Sequence, residues 1–221
     1  MARPVNADAD ATRQRMLDRA VELFAEHGLG GTSVRDVAGA AGVSLAMVHH
    51  YFGGKNELYD ACVEATYAEL SAMQQELATE LAAEAPLEEL FARAVVVCYR
   101  FARRHRTAVR LLVRAAASSG QVHPRGRKLL LDALDLVSTA VGVRLGRPPA
   151  ELRLPIQSIV FLVARYAAQD EGETAAVVGV HARDRRRAVD AVEAHLVGVA
   201  LDLFGLAAPA RERASTPRGT R

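Results

Sequence analysis

The sequence predicts an all-α protein in which a small N-terminal helical domain precedes a larger helical domain. Apolar residues recur at helical spacing along nearly the whole chain. No segment alternates apolar and polar residues with the Val, Ile and aromatic content that a strand requires. The chain has 221 residues, 50% of them hydrophobic, which is enough for one substantial core or two small ones.

The charge and the cysteine content exclude several classes of protein. Lys and Arg number 28 against 26 Asp and Glu, and this net charge of +2 excludes a disordered polyelectrolyte and a uniformly basic surface. No signal peptide accompanies Cys62 and Cys98, and no apolar stretch reaches the roughly 18 residues of a membrane span. We therefore expect a cytoplasmic protein with reduced thiols and no membrane partner. Two cysteines are also too few for a cysteine-based metal site.

Glycine, proline and the apolar periodicity set the expected helix boundaries. Two short helices are expected within residues 32–52, and the longer ones at about 10–27, 55–84, 86–104, 107–118, 124–145, 150–169 and 184–204. The segment between the last two is acidic and contains glycine, so we expect a connection there. Residues 207–221 lack apolar periodicity and predict a disordered basic tail. The chain thus divides into domains at 1–54 and 55–206, followed by the tail.

Residues 32–52 carry the signals of two short helices joined by a tight turn. Ser33 and Asp36 have the spacing of a capping box at the start of the first helix, and Ser44 is a suitable cap for the second. Gly42 permits the sharp turn between them. This arrangement is typical of a helix-turn-helix, whose second helix enters the major groove of DNA. A helical hairpin inside a larger bundle is the structural alternative.

The second of these helices has one apolar face and one free face. Val48 and Phe52 are four residues apart, so we expect that face to pack on the core. The outward side chains are small or thin near the amino end and include two histidines: Leu45, Ala46, His49 and His50. The histidines can donate hydrogen bonds to phosphates or to base acceptors, and the N-terminus of the helix attracts phosphate.

Four segments of this region resemble the TetR family of bacterial transcriptional regulators. They are GTSVRDVA at 31–38, AGVS at 41–44, YF at 51–52 and KNEL at 55–58. The resemblance covers about the first 60 residues. It implies a homodimeric repressor, bound to a palindromic double-stranded DNA operator on the nucleoid and responsive to a small-molecule effector.

The resemblance and the outward face together give the expected DNA contacts. These are Thr32, Ser33, Arg35, Ser44, Leu45, Ala46, Met47, His49, His50, Tyr51 and Lys55. By the resemblance, Thr32 or Ser33, together with Tyr51 and Lys55, bind phosphates, and residues 44–50 contact bases.

Two positions of the second helix depart from the family's pattern, and Gly54 stands where Ser usually caps the next helix. Leu45 stands where a small polar or basic residue is usual, and His49 stands where Tyr is usual. We expect Leu45 or Met47 to touch thymine methyl groups and His49 to act as a shorter donor.

Other classes of function have less support in the sequence. We find no nucleophile elbow, phosphate loop, metal-ligand set or acid–base pair at a meaningful spacing, so we expect neither an enzyme nor a cofactor. A helical protein–protein interaction module with incidental DNA binding is the alternative. Sequence-specific, salt-dependent DNA binding would separate the two.

Acidic and basic residues are segregated in the second domain. Residues 56–89 hold nine carboxylates and no base, whereas residues 90–131 hold ten Arg or Lys and no carboxylate. Arg106, Arg110 and Arg114 repeat at four residues and therefore share one helix face. That face is either solvated against the acidic helix, which we favour, or an anion site if an arginine points inward.

The resemblance also implies an effector pocket and a dimer interface in the second domain. The candidate pocket residues are mostly large and apolar: Met73, Leu77, Phe91, Val95, Cys98, Tyr99, Arg110, Val113, Leu134, Val137, Phe161 and Tyr166. The candidate interface residues form apolar stripes on the last two long helices: Leu152, Ile156, Ile159, Val160, Val163, Val192, Leu196, Val199 and Leu203. Ordinary core packing explains both sets as well. His105 and His123 lack carboxylates at ligand spacing, so no metal site is expected.

Overall fold

The computed structural model describes residues 5–81, 83–119 and 123–206, with side chains for all of these except 5–7, 72–76, 78, 80, 81 and 119. Ten α-helices and no strand occupy the described residues, which confirms the predicted all-α class. The helices are α1 (Val5–Gly31), α2 (Val34–Ala41), α3 (Leu45–Phe52), α4 (Lys55–Leu81), α5 (Leu87–Arg104), α6 (Arg106–Ser119), α7 (Pro124–Leu145), α8 (Pro149–Ala168), α9 (Glu171–Val178) and α10 (Arg185–Phe204). The predicted tail at 207–221 lies outside the described residues.

Helix α9 lies where the sequence predicted only a connection. Asp170 caps it by accepting a hydrogen bond from the Gly172 amide at 2.7 Å. The backbone amides of Gly172 and Glu173 lower the pKa of the Asp170 carboxyl. The helix has only eight residues and buries just Thr174 and Ala175, so its apolar stripe is too short to be recognised by periodicity.

The first core surrounds α1 and includes part of α4 and α6. Its members are buried and come from five helices: Met16, Leu17, Ala20, Phe24, Ala25, Val37, Ala38, Ala41, Val48, Phe52, Leu58, Cys62, Val63 and Leu111. Burial raises the pKa of the Cys62 thiol to about 12, so this cysteine is a protonated core side chain. The core thus continues past residue 54 into α4 and reaches α6 through Leu111.

Two further cores hold the remaining helices together. In one, Val95 and Tyr99 of α5 pack against Val163 of α8 and Leu196 of α10. In the other, Phe91 joins residues of α7, α8 and α10, and its ring centroid lies 4.5 Å from that of Phe204. Since the start of α8 meets the end of α10, and the end of α8 meets the start of α10, these two helices run antiparallel.

The ion pairs of three arginines of α5 and α6 lead to α9 and α10 and not to the acidic helix α4, which corrects the favoured expectation for Arg106. Arg103 and Arg106 lie 3.3 and 3.4 Å from a carboxylate oxygen of Glu171 in α9. Arg100 pairs with Glu193 of α10 at 2.9 Å. The partners of α4 include Arg125, which lies 2.6 Å from Glu64. Arg100, Arg103 and Arg106 therefore join α5 and α6 to the last two helices, while Arg125 joins α7 to α4.

Gly142 is required at the junction of α7 and α8. A Cβ atom at this buried position would lie 2.7 Å from the backbone oxygen of Arg147. Alanine favours a helix over glycine by roughly 1 kcal/mol, but a contact that a backbone atom must relieve costs about 1–3 kcal/mol. The difference leads us to expect that Gly142→Ala lowers the free energy of unfolding by up to about 2 kcal/mol in a urea titration.

Gly39 provides the matched control for this substitution. It is an exposed helical residue in α2, and a Cβ atom there would meet nothing within 4 Å. Gly39→Ala is therefore expected to raise the free energy of unfolding by about 0.5–1 kcal/mol. Equal shifts of the same sign in both variants would contradict the close contact at Gly142.

Candidate nucleic-acid interface

The start of α2 is fixed by a complete capping box. The Ser33 hydroxyl oxygen accepts from the Asp36 amide at 3.1 Å, and the Asp36 carboxylate accepts from the Ser33 amide at 2.8 Å. The Ser33 hydroxyl also donates to the Asp36 carboxylate at 2.7 Å, and this hydrogen bond, followed by the one from the Ser33 amide, lowers the pKa of Asp36. The sequence predicted Ser33 and Asp36 as the two residues of this capping box, and the structure confirms both.

Thr32 is placed differently from the sequence prediction. Its side chain is only 2% exposed, and its hydroxyl donates to the backbone oxygen of Leu23 in α1 at 3.2 Å. A phosphate cannot reach this hydroxyl, so Thr32 is corrected from a DNA contact to a residue that anchors the start of α2 to α1. The pattern that identified Thr32 does not distinguish a buried hydroxyl from an exposed one.

A tight glycine turn joins α2 to α3, as predicted. Gly42 has φ of 67° and ψ of 36°, in the left-handed region that favours glycine. The Val43 amide donates to the Ala38 carbonyl at 3.0 Å and closes the end of α2. Ser44 then caps α3 by accepting a hydrogen bond from the Met47 amide at 3.2 Å.

Helix α3 presents the predicted face to solvent. Val48 and Phe52 are 1% and 8% exposed and pack in the first core. The guanidinium of Arg13 lies 5.3 Å from the centroid of the Phe52 ring and covers it. The outward side chains are all exposed: Leu45, Ala46, Met47, His49 and His50. An eight-residue helix, capped at its start and anchored by two core residues, thus carries an uncovered surface.

His49 is tied to the end of its own helix, which the sequence analysis missed. Its Nδ1 atom lies 2.6 Å from the Gly53 carbonyl oxygen, and the Gly53 amide donates to the His49 carbonyl at 2.8 Å. Because a carbonyl oxygen only accepts, Nδ1 carries the proton. Nε2 is then the outward atom, an acceptor when the ring is neutral and a donor when it is charged. In the sequence, Gly53 after Phe52 was the available signal for this helix end. It adopts φ of 88° in the structure.

The remaining expected contacts surround this face. Ser33, Arg35 and Ser44 are exposed, whereas Tyr51 and Lys55 are partly buried. The Tyr51 ring packs edge-to-face on His50 with centroids 5.5 Å apart. Ser44 directly precedes α3, Tyr51 lies in its last turn, and Lys55 begins α4.

The predicted pocket residues do not line one cavity in this structure. Val95, Cys98, Tyr99 and Tyr166 belong to the second core, while Phe91, Leu134 and Val137 belong to the third. The outliers are Leu77, which is partly buried, and Phe161 and Val113, which are 59% and 38% exposed. The side chain of Met73 lies outside the described residues. The Tyr99 hydroxyl is buried and has no hydrogen-bond partner in the described part of the chain.

The predicted interface residues fall into two groups. Leu152, Ile156, Val163, Val192 and Leu196 are 0–9% exposed and lie inside the chain's own cores, so a partner cannot contact them directly; this corrects their assignment. Ile159 and Val199 are partly buried. Val160 and Leu203 are 43% and 41% exposed. The exposed apolar face of α8 also includes Leu154 and Phe161, at 74% and 59%.

Comparisons with known proteins agree with this arrangement. Residues 16–62 match the family model described as bacterial regulatory proteins, tetR family. The chain is 30% identical over 104 residues to the probable HTH-type transcriptional regulator YttP of Bacillus subtilis, covering 47% of this chain and 50% of that protein. It is 38% identical over 79 residues to the HTH-type transcriptional repressor KstR2 of Rhodococcus jostii, covering 35% and 39%. The matches thus span half or less of these curated relatives.

The likeness to solved structures extends over the whole fold. A TetR-like transcriptional regulator from Rhodococcus sp. RHA1 is 23% identical, covers 93% of this chain and 99% of its own, and gives a TM-score of 0.61. The matched segment at 16–62 contains α2, the glycine turn and the exposed face of α3. Residues 16–62 therefore match the tetR family of bacterial regulatory proteins, and the chain as a whole has the fold of a TetR-like transcriptional regulator.

Proposed function

We propose that this chain is a homodimeric, ligand-responsive transcriptional repressor that binds a palindromic operator through α3. The observation that carries the proposal is the free face of α3, a helix that is capped and anchored by Val48 and Phe52. No described residue covers this face. Such a helix fits the major groove of DNA. A repressor of this kind acts in the cytoplasm, on the nucleoid.

The contacts to DNA divide by chemistry. Arg35 and Lys55 carry positive charge beside α3 and would hold phosphates. Leu45 and Met47, 37% and 38% exposed, would touch thymine methyl groups. Neutral His49 offers Nε2 as an acceptor, which suits the amino groups of cytosine or adenine, whereas the charged ring suits a phosphate.

Dimerisation would place two copies of α3 on successive major grooves. The exposed apolar face of α8 and α10 supports a second copy as the partner, since Leu154, Val160, Phe161 and Leu203 are all more than two-fifths exposed. Exposed apolar side chains of this size grouped on adjacent helices are typical of interaction surfaces. A two-fold axis through this face would generate the symmetry of a palindrome.

Response to a ligand would pass through α6. Leu111 of α6 is fully buried in the first core, and Arg114 donates to the Glu26 carbonyl of α1 at 3.0 Å. A ligand that binds one arrangement of α6 better than another would therefore change the position of α1 and of the recognition helix. The ligand acts only through this difference in affinity.

The experiment that tests the proposal is selection of bound duplexes from a random DNA pool at about 150 mM salt, where nonspecific attraction is partly suppressed. We expect recovery of an inverted repeat with half-sites about one helical turn apart. Recovery of no motif by the intact protein would count against DNA recognition and favour a protein partner.

Substitutions in the interface should separate phosphate contacts from base contacts. Lys55→Ala is expected to weaken binding to all duplexes about equally and to lower the salt slope by roughly one. Leu45→Ala and His50→Ala are expected to change the preferred sequence at one position while leaving the slope unchanged. Fluorescence anisotropy over a salt series measures both quantities. Arg127→Ala, an exposed change in α7, is the control.

The opposite pattern would contradict these roles. If Lys55→Ala altered the preferred sequence and kept the salt slope, the division between phosphate and base contacts would be wrong.

A further inference from the structure

A cavity of about 510 Å³ lies between the end of α1, α6 and the junction of α8 with α9. This volume is in the range of small-molecule sites in proteins. It is separate from the apolar cores that contain most of the predicted pocket residues. Of those residues, Arg110 and Val113 line it.

The basic groups that line this cavity are not all paired with described residues. Arg110 and Arg165 line it, and both are exposed and make no ion pair with any described residue. Arg114, which also lines it, has one of its nitrogen atoms on the Glu26 carbonyl. Three guanidinium groups on two helices therefore line one cavity. Two of them have no carboxylate partner among the described residues and could pair with an anion.

Three carboxylates also line the cavity, those of Glu26, Asp170 and Glu173. Asp170 accepts hydrogen bonds from the backbone amides at the start of α9, so its charge is already stabilised by the helix. Glu26 and Glu173 are exposed to solvent. Their charge is screened by water more than that of a buried carboxylate would be. Three arginines and three carboxylates thus line the cavity, and Arg110 and Arg165 are arginines that form no ion pair with a described residue.

Gln169, an uncharged residue that lines the cavity, has a side-chain acceptor without a hydrogen-bond donor among the described residues. The Oε1 atom of Gln169 is buried and has no partner in the described part of the chain. The backbone carbonyl of the same residue accepts from Arg103 at 3.4 Å, which holds this segment against α5. A buried acceptor without a donor costs free energy that a ligand hydroxyl would recover.

We propose that this cavity binds a small carboxylate that also carries a hydrogen-bond donor, as a hydroxy acid does. The carboxylate would lie between Arg110 and Arg165, and the hydroxyl would donate to Gln169. Such a ligand touches α1 at Ala25 and Glu26 as well as the helices of the second domain. An effect of this ligand on DNA binding rests on the proposed function, whereas binding of the ligand to the cavity does not.

Isothermal titration calorimetry of the full chain without DNA tests the site. The probes are L-malate, citrate and L-lactate, and at least one is expected to bind one-to-one with a dissociation constant at or below about 1 mM. Arg110→Gln and Arg165→Gln are each expected to weaken that binding about tenfold or more. Arg127→Gln in α7 removes an exposed arginine elsewhere and should leave it unchanged.

The role of Gln169 has a separate readout if L-malate binds. Succinate is malate without the hydroxyl, and we expect it to bind about three- to tenfold more weakly. Gln169→Met, which has no amide oxygen, should bring the two acids to about equal affinity. Equal affinities in the wild type would overturn the donor requirement.

Two results would overturn the site itself. One is the absence of heat from all three hydroxy acids at 10 mM, about ten times the expected constant. The other is binding that both arginine variants leave unchanged. Because both arginines are exposed, the variants are expected to keep the wild-type unfolding midpoint, so a lost signal reports binding. Failure to find an operator would leave these titrations unaffected.

Discussion

Leu58→Ala is expected to lower the free energy of unfolding by about 2–5 kcal/mol, the range for truncating a fully buried leucine. Leu58 is 0% exposed and lies in the first turn of α4, where it packs in the core formed around α1. Its loss leaves a cavity beneath the recognition helix as well as a smaller apolar contact area. Urea denaturation at fixed protein concentration measures the change, since a dimer's stability depends on concentration.

Val143→Ala is the matched control, because Val143 is an apolar residue of α7 that is 80% exposed. Its expected change is within about 0.5 kcal/mol. A loss of less than about 1 kcal/mol in Leu58→Ala would mean that α4 is not seated on α1 as the structure places it.

The packing of Leu58 also shows that the first core extends past the predicted domain boundary. The sequence prediction placed a domain boundary between 54 and 55, where the long helix was expected to begin. In the structure Leu58, Cys62 and Val63 all lie in the first core. Helix α4 is therefore common to both parts of the molecule, and any movement of its later turns acts on the helix-turn-helix.

The helix-turn-helix could be predicted in detail because its determinants are local. A capping box spans four residues, a left-handed turn needs a single glycine, and the inward face of α3 follows from two apolar residues. Ser33, Gly42 and Val48 all occupy their predicted environments. Local signals failed only where burial decides, as at Thr32, whose hydroxyl meets Leu23 across the junction of α1 and α2.

The second domain was less predictable because apolar residues occupy more than one face of its helices. In α8, Leu152 and Ile156 point into the core, whereas Leu154 and Phe161 point to solvent. Periodicity finds a helix but does not say which of two apolar stripes is buried, since that depends on neighbours distant in sequence. The interface prediction therefore selected several core residues and omitted Leu154.

Substitution of Leu154 and Phe161 by glutamate is expected to abolish dimerisation and to reduce operator affinity at least about 100-fold. The two side chains are seven residues apart on α8, hence on the same face, and are 74% and 59% exposed. Two carboxylates on each copy would have to be buried without partners if the face closed, which is strongly unfavourable. The monomer itself should remain folded, because the wild-type side chains are already largely solvated.

Sedimentation velocity and operator titration together check this expectation. Val143→Glu introduces a carboxylate at an 80% exposed position of α7 and should leave both measurements unchanged. A monomer with intact operator affinity would show that one recognition helix is sufficient for specific binding. A dimer that persists in the double variant would move the interface away from α8, and the exposed apolar face would then need a different partner.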